Sequence, residues 1–89
     1  MVSQRASPEM FTAYILKSLR DGTYYYGSCE DVQSRLKDHN AGQSKYTKGH
    51  RPYALHYAES FPKRIAARKR ELFFKSIEGY RWLKENNII

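Results

Sequence analysis

Sulfur chemistry is nearly absent from this 89-residue chain. Its single cysteine, Cys29, allows no intrachain disulfide and no Cys-x-x-Cys pair for zinc, a usage expected of a reducing compartment. Long apolar runs are missing as well: no segment approaches the roughly 20 residues of a membrane helix. A cytoplasmic location with no membrane partner is therefore expected. Acidic side chains are scarce, 9 against 16 Lys+Arg for a formal net charge of +7, which points to a polyanionic partner. Residues 1–10 lack the apolar stretch of a signal peptide and read as a disordered tail. Residues 11–89 are enough for one small domain, which hides only about 60% of the surface its unfolded chain exposes. A second catalytic domain has no room.

With only 5 glycines and 3 prolines, each one acts as punctuation. Asp21-Gly22 separates two strand-like runs near 12–19 and 23–29, the strongest short-range signal for a hairpin. Opposed residues of an antiparallel pair point to the same face. A two-residue loop sets Ser18 opposite Tyr25, Leu16 opposite Gly27 and Tyr14 opposite Cys29, while a four-residue loop changes the partners but not the parity. In both cases Tyr14 and Tyr25 share one face, and Gly27 leaves open space beside them.

Asp31 is placed to cap a helix running to about Asn40, with Gly42 as its left-handed stop. One face of that helix carries Val32, Arg35, Leu36 and His39 at i, i+3, i+4, i+7 spacing, so two ionisable groups stand beside two apolar anchors. Taken singly, Arg35 reads as a snorkelling side chain and His39 as a satisfied core histidine. Beside the tyrosine face they suggest a phosphate-holding guanidinium and an imidazole able to move a proton near neutral pH. The following loop interleaves Lys45, Tyr46, Thr47, Lys48 and Arg51, a composition suited to phosphate contacts and base stacking and also to an ordinary solvated loop.

Residues 53–59 alternate as a third strand, and Pro62 opens a second helix. Its expected apolar stripe is Ile65, Ala66, Leu72, Phe73 and Ile77, with Arg64, Arg68, Glu71 and Lys75 on the opposite flank. Glu71 is the lone acid there. An i, i+4 pair with Lys75 and an i−3 pair with Arg68 explain it as surface ion pairing. A divalent cation, however, needs only one or two protein carboxylates when water and substrate phosphate complete its shell.

Taken in order, these residues resemble the GIY-YIG nuclease superfamily, in particular short stand-alone bacterial members similar to the amino-terminal domain of the excision-repair nuclease. Ala13-Tyr14-Ile15 stands at the first signature and Tyr25-Tyr26-Gly27 at the second. Arg35 to His39, Lys45-Tyr46-Thr47 with Arg51-Pro52, Arg70-Glu71, and Phe74 through Leu83 resemble the later segments, so the similarity spans about 11–84. The first signature lacks its glycine, and Tyr26 replaces the usual isoleucine. The late-domain asparagine that several relatives use has no assigned counterpart among Asn86 and Asn87.

The resemblance implies an α+β domain, a three-stranded antiparallel sheet flanked by helices. It implies a divalent-metal-dependent endonuclease that hydrolyses phosphodiester bonds in DNA, with RNA as the alternative substrate, in repair or recombination and as part of a larger repair complex. Catalytic roles would fall to Tyr14, Tyr25, Arg35, His39 and Glu71, with Glu71 holding Mg²⁺ or Mn²⁺. Nucleic-acid contacts would fall to Lys45, Tyr46, Thr47, Lys48, Arg51 and Arg68. The alternative is a module that keeps the scaffold and binds nucleic acid without cutting it.

Overall fold

The computed structural model describes residues 10–89; nearly all of the expected tail, residues 1–9, lies outside the described residues. The chain runs β1 (Phe11–Ser18), β2 (Tyr24–Cys29), α1 (Val32–Asn40), a short 3-10 turn (Lys48–His50), β3 (Tyr53–Phe61), α2 (Arg64–Phe74) and α3 (Ile77–Glu85). The three strands form one antiparallel sheet in the order β2-β1-β3. This is the α+β architecture expected from the sequence, with β1 at the centre and an edge strand on either side.

The hairpin closes through four residues, since Ser18 N donates to Thr23 O at 2.8 Å and Gly22 N to Ser18 O at 2.9 Å. Tyr14 accordingly pairs with Gly27 and Leu16 with Tyr25, which replaces the partners of a two-residue loop and preserves the parity. Gly22 takes φ +78°, the left-handed conformation that the turn needs and glycine accepts without cost. Between β1 and β3 the register slips at Ile15/Leu16: Tyr57 faces Ile15 and Leu55 faces Leu16, leaving His56 as the extra residue of a bulge.

Because β1 is central, both of its faces are covered. Ala13 and Ile15 pack with Phe74 and Leu83 under α2 and α3, while Tyr14, Leu16 and Tyr53 pack with Val32 and Leu36 of α1. The sheet is thus a partition between two small cores. Asp31 caps α1 through its side chain, accepting from Ser34 N at 3.1 Å, and Gly42 beyond the helix has φ +81°.

The second helix departs from its expected stripe. Its buried side chains are Ala67, Glu71 and Phe74, whereas Ile65, Leu72 and Ile77 are exposed. The apolar spacing misleads because a carboxylate occupies the inward face with partners of its own. The helix also stops at Phe74. Ser76 caps α3 by accepting from Gly79 N at 3.0 Å and donates to Phe73 O at 2.6 Å, which turns the chain between two helices rather than extending one.

Gly27 has a packing role opposite to the open space expected there. A Cβ at this position would collide with the Tyr14 hydroxyl and ring. Tyr14 is 1% exposed and has nowhere to retreat. Gly27→Ala is expected to destabilise the domain by about 1–3 kcal/mol, the usual cost of overpacking a filled core. Urea denaturation tests this: the midpoint should fall with an unchanged slope.

Candidate active site

Four of the residues singled out by the sequence meet on the α1 side of the sheet. The Tyr14 and Tyr25 rings lie 6.4 Å apart, and His39 from α1 packs its imidazole 4.8 Å from the Tyr25 ring and 6.1 Å from Tyr53. Burial pushes the Tyr14 phenol up to about 12, against the opposing effect of the neighbouring Arg35 guanidinium. Tyr14 is therefore a neutral hydrogen-bond donor near neutral pH. Arg35 is half-exposed, and its pairing with Asp38 is long, 3.8 Å. Its charge remains available.

His39 is fully buried. Its Nδ1 lies 2.7 Å from Thr47 Oγ1, while Nε2 is buried with no hydrogen-bond partner. Desolvation, then the positive charge of Arg35, lowers its pKa from the ordinary 6.5, with Asp38 opposing them. Below about pH 6.5 the unfolded chain consequently takes up a proton that the folded chain resists. Stability should fall with acidification through that region and level off once the folded imidazole itself titrates. Thermal melts from pH 7.5 to 5 check this, and His39→Gln should flatten the dependence.

Glu71 stands across the sheet from the tyrosine pair. Ser28, one residue past Gly27, points to the α2 side, and its hydroxyl donates to Glu71 Oε1 at 2.6 Å. Oε2 accepts from Lys75 Nζ at 2.8 Å and Arg68 Nη1 at 2.9 Å. Burial alone would raise this carboxyl, but the hydrogen bonds from Lys75, Ser28 and Arg68 outweigh it and hold the group below its ordinary value. The ion pairing anticipated from the sequence is present, yet it surrounds a buried carboxylate 6% exposed rather than a surface one.

Strand β2 is an edge, and there the two faces meet. A cleft of about 370 Å³ is lined by Tyr24, Tyr25, Tyr26, Tyr46 and Lys75. Lys75 thus touches both the cleft that holds Tyr25 and the carboxylate of Glu71. Neither Lys75 nor Ser28 was singled out from the sequence as a site residue. The Glu71/Lys75 spacing was visible, but the Ser28 contact joins residues 43 apart.

The basic loop divides by side chain. Lys45, Tyr46 and Lys48 are exposed, and Tyr46 lies 6.0 Å from the Tyr25 ring. Arg51 is half-buried, its guanidinium folded over Gly42. Arg68 is exposed but bound to Glu71. Thr47, expected among the nucleic-acid contacts, is fully buried with its hydroxyl on His39, so its side chain faces the interior.

The model of the GIY-YIG catalytic domain matches residues 10–85, nearly all of the described chain. The chain belongs to the GIY-YIG family. Membership supports a nuclease-type function and implies nucleic acid as the molecule it meets. The domain is 42% identical over 69 residues to a UPF0213 protein of Halobacterium salinarum, covering 76% of this chain and 88% of that one. It is 43% identical over 65 residues to a UPF0213 protein of Bacillus licheniformis, covering 72% and 66%. In fold it is similar to the solution NMR structure of a UPF0213 protein from Bacillus halodurans, with TM-score 0.50, 33% identity, and 85% and 83% of the two chains covered.

GIY-YIG nucleases generally use divalent metals. No cluster of three or more His, Cys, Asp or Glu side chains occurs among the described residues of this GIY-YIG domain, so a cation would rely on Glu71, water and the substrate itself. The carboxylate fits that role, being charged and made of hard oxygen. Its Oε2 is shared with two side chains that are about half exposed, Lys75 at 46% and Arg68 at 56%, and both have solvent to move into.

Proposed function

We propose that this GIY-YIG domain is a divalent-metal-dependent endonuclease that hydrolyses phosphodiester bonds in DNA, acting in repair or recombination. The observation that carries the reading is the edge cleft: Tyr25 lines it from the α1 side and Lys75, bound to Glu71, from the α2 side. A phosphate in this cleft would meet tyrosine hydroxyls and the Lys75 ammonium.

Hydrolysis needs a water oriented toward phosphorus, relief of charge on the phosphate, and an acceptor for the water's proton. Tyr25, at the cleft wall, orients the water and passes its proton on. His39, held neutral by burial beside Tyr25, is the acceptor that receives it. Arg35 offsets charge growing on the phosphate oxygens, and Tyr14 supports the arrangement as a hydrogen-bond donor. Glu71 would hold Mg²⁺ or Mn²⁺, whose contribution is Lewis-acid polarisation of a phosphate oxygen. Lys45, Lys48 and the ring of Tyr46 engage the flanking backbone and bases.

A second reading has its own support. Both oxygens of Glu71 already have protein partners, so the carboxylate is satisfied without a cation, which favours a scaffold that binds without cutting. Incubating the purified protein with labelled single-stranded, duplex and branched DNA and with RNA, with and without Mg²⁺ or Mn²⁺, separates the two. Metal-dependent cutting supports the endonuclease; salt-sensitive binding with no cutting on any substrate supports the binding module.

A further inference from the structure

The polar partner of His39 is a buried threonine in a loop that also carries the exposed Lys45, Tyr46 and Lys48, an unusual place for a fully enclosed hydroxyl. Thr47 is 0% exposed, as is His39. The contact between them, 2.7 Å from Nδ1 to Oγ1, can run either way, because a neutral imidazole has one N–H and one bare nitrogen and a hydroxyl both donates and accepts.

Two observations bear on its direction, and the second decides it. Beyond Thr47 the chain of contacts ends on the Ser44 carbonyl, 3.5 Å from Oγ1, and a carbonyl only accepts. With its proton turned toward Ser44, the hydroxyl leaves Oγ1 to accept from Nδ1–H; turned toward Nδ1 at 2.7 Å, it would put the imidazole N–H at Nε2. At the far end of the ring, Nε2 is buried without a partner. An orphaned buried N–H is the rarer and costlier arrangement, so a bare Nε2 is the better-tolerated form.

We infer that Thr47 is a positioning residue that fixes His39 as its Nδ1–H tautomer, leaving Nε2 as a bare proton acceptor in the pocket of Tyr25 and Tyr53. The effect on cleavage rests on the proposed role of His39; the tautomer itself does not. Burial keeps the imidazole neutral, so a tautomer is what there is to fix. Thr47 also stands between Tyr46 and Lys48, both exposed, so the segment that meets substrate is the one that orients the acceptor.

The test is nitrogen-resolved NMR of the His39 side chain at neutral pH in the wild type, Thr47→Ser and Thr47→Val. The wild type and Thr47→Ser should show a proton on Nδ1 and none on Nε2, and Thr47→Val should lose that bias. If Thr47→Val fails to fold, Thr47→Ala takes its place, since it removes the hydroxyl without burying a methyl group against Nδ1. A wild-type proton on Nε2, or an unchanged tautomer in the hydroxyl-free variant, overturns the inference. Where the protein cuts nucleic acid, the hydroxyl-free variant should lose about tenfold or more in kcat with KM little changed, and Thr47→Ser should restore it. A fall in KM-governed binding with kcat intact would instead mark a merely structural loop residue and overturn the positioning role. Absence of cutting in every form would sink the endonuclease reading while the spectra still decide the tautomer.

Discussion

Glu71→Gln is expected to reduce cleavage by about 10²–10³-fold in kcat, the scale of losing one preorganised electrostatic contact to the transition state. The amide keeps the shape of the side chain and can still accept from Ser28, so the variant should fold. What it loses is the charge. Lys75 and Arg68 then face a neutral group and are freer to meet phosphate, so nucleic-acid binding should be retained or slightly tightened. Binding isotherms measured beside single-turnover cleavage make the distinction. Parallel loss of binding and cutting would mean that Glu71 organises the surface rather than the chemistry. Glu71→Ala is the less informative variant. It also strips the half-buried Ser28 hydroxyl of its acceptor, which costs about 1–3 kcal/mol of stability where such a group is left unsatisfied.

Tyr25→Phe is expected to lower kcat by about 10²–10⁴-fold, the usual contribution of a positioned proton-transfer group. Its ring contacts with Tyr14, His39 and Tyr46 depend on the ring alone and survive the substitution. Thermal stability should therefore change little. The measurement is single-turnover cleavage with saturating enzyme, which removes binding from the comparison. Full metal-dependent activity in Tyr25→Phe would eliminate the proton-transfer assignment for this residue and leave the endonuclease reading to rest on Glu71 and Arg35.

The two variants probe opposite faces of one sheet, and this explains why their readouts should differ. Tyr25 belongs to the α1 core and Glu71 to the α2 side, and at the edge strand β2 they are linked through one cleft, which Tyr25 lines directly and Glu71 reaches through Lys75. A wide central strand between them would separate the same residues completely. The order β2-β1-β3 leaves the strand carrying Tyr25, Gly27 and Ser28 with one edge unpaired in the sheet, and the proposed site sits there.

Much of this was legible in the chain before folding. The period of two along a strand places Tyr14 and Tyr25 on one face whether the turn has two residues or four, so the tyrosine pair survives an error in the register. Asp31 and Gly42 bracket α1 for reasons local to the backbone, and helical spacing puts Arg35 and His39 on the side of Val32 and Leu36. These features depend on neighbours within a few residues, which sequence order specifies directly.

What the tertiary structure alone decided involves partners far apart in the chain. Apolar spacing pointed α2 the wrong way, because a carboxylate satisfied by Ser28, Lys75 and Arg68 can be buried in place of a hydrocarbon. Gly27 looked like empty space, yet the Tyr14 ring fills it from the adjacent strand. Thr47 looked like one more hydroxyl of a solvated loop, yet the loop folds back and seats it on His39, 8 residues earlier. Composition and periodicity show which side chains are able to do chemistry and which local element carries them. Which buried polar group is satisfied, and by whom, is set by contacts across the sheet, and no one-dimensional pattern encodes them.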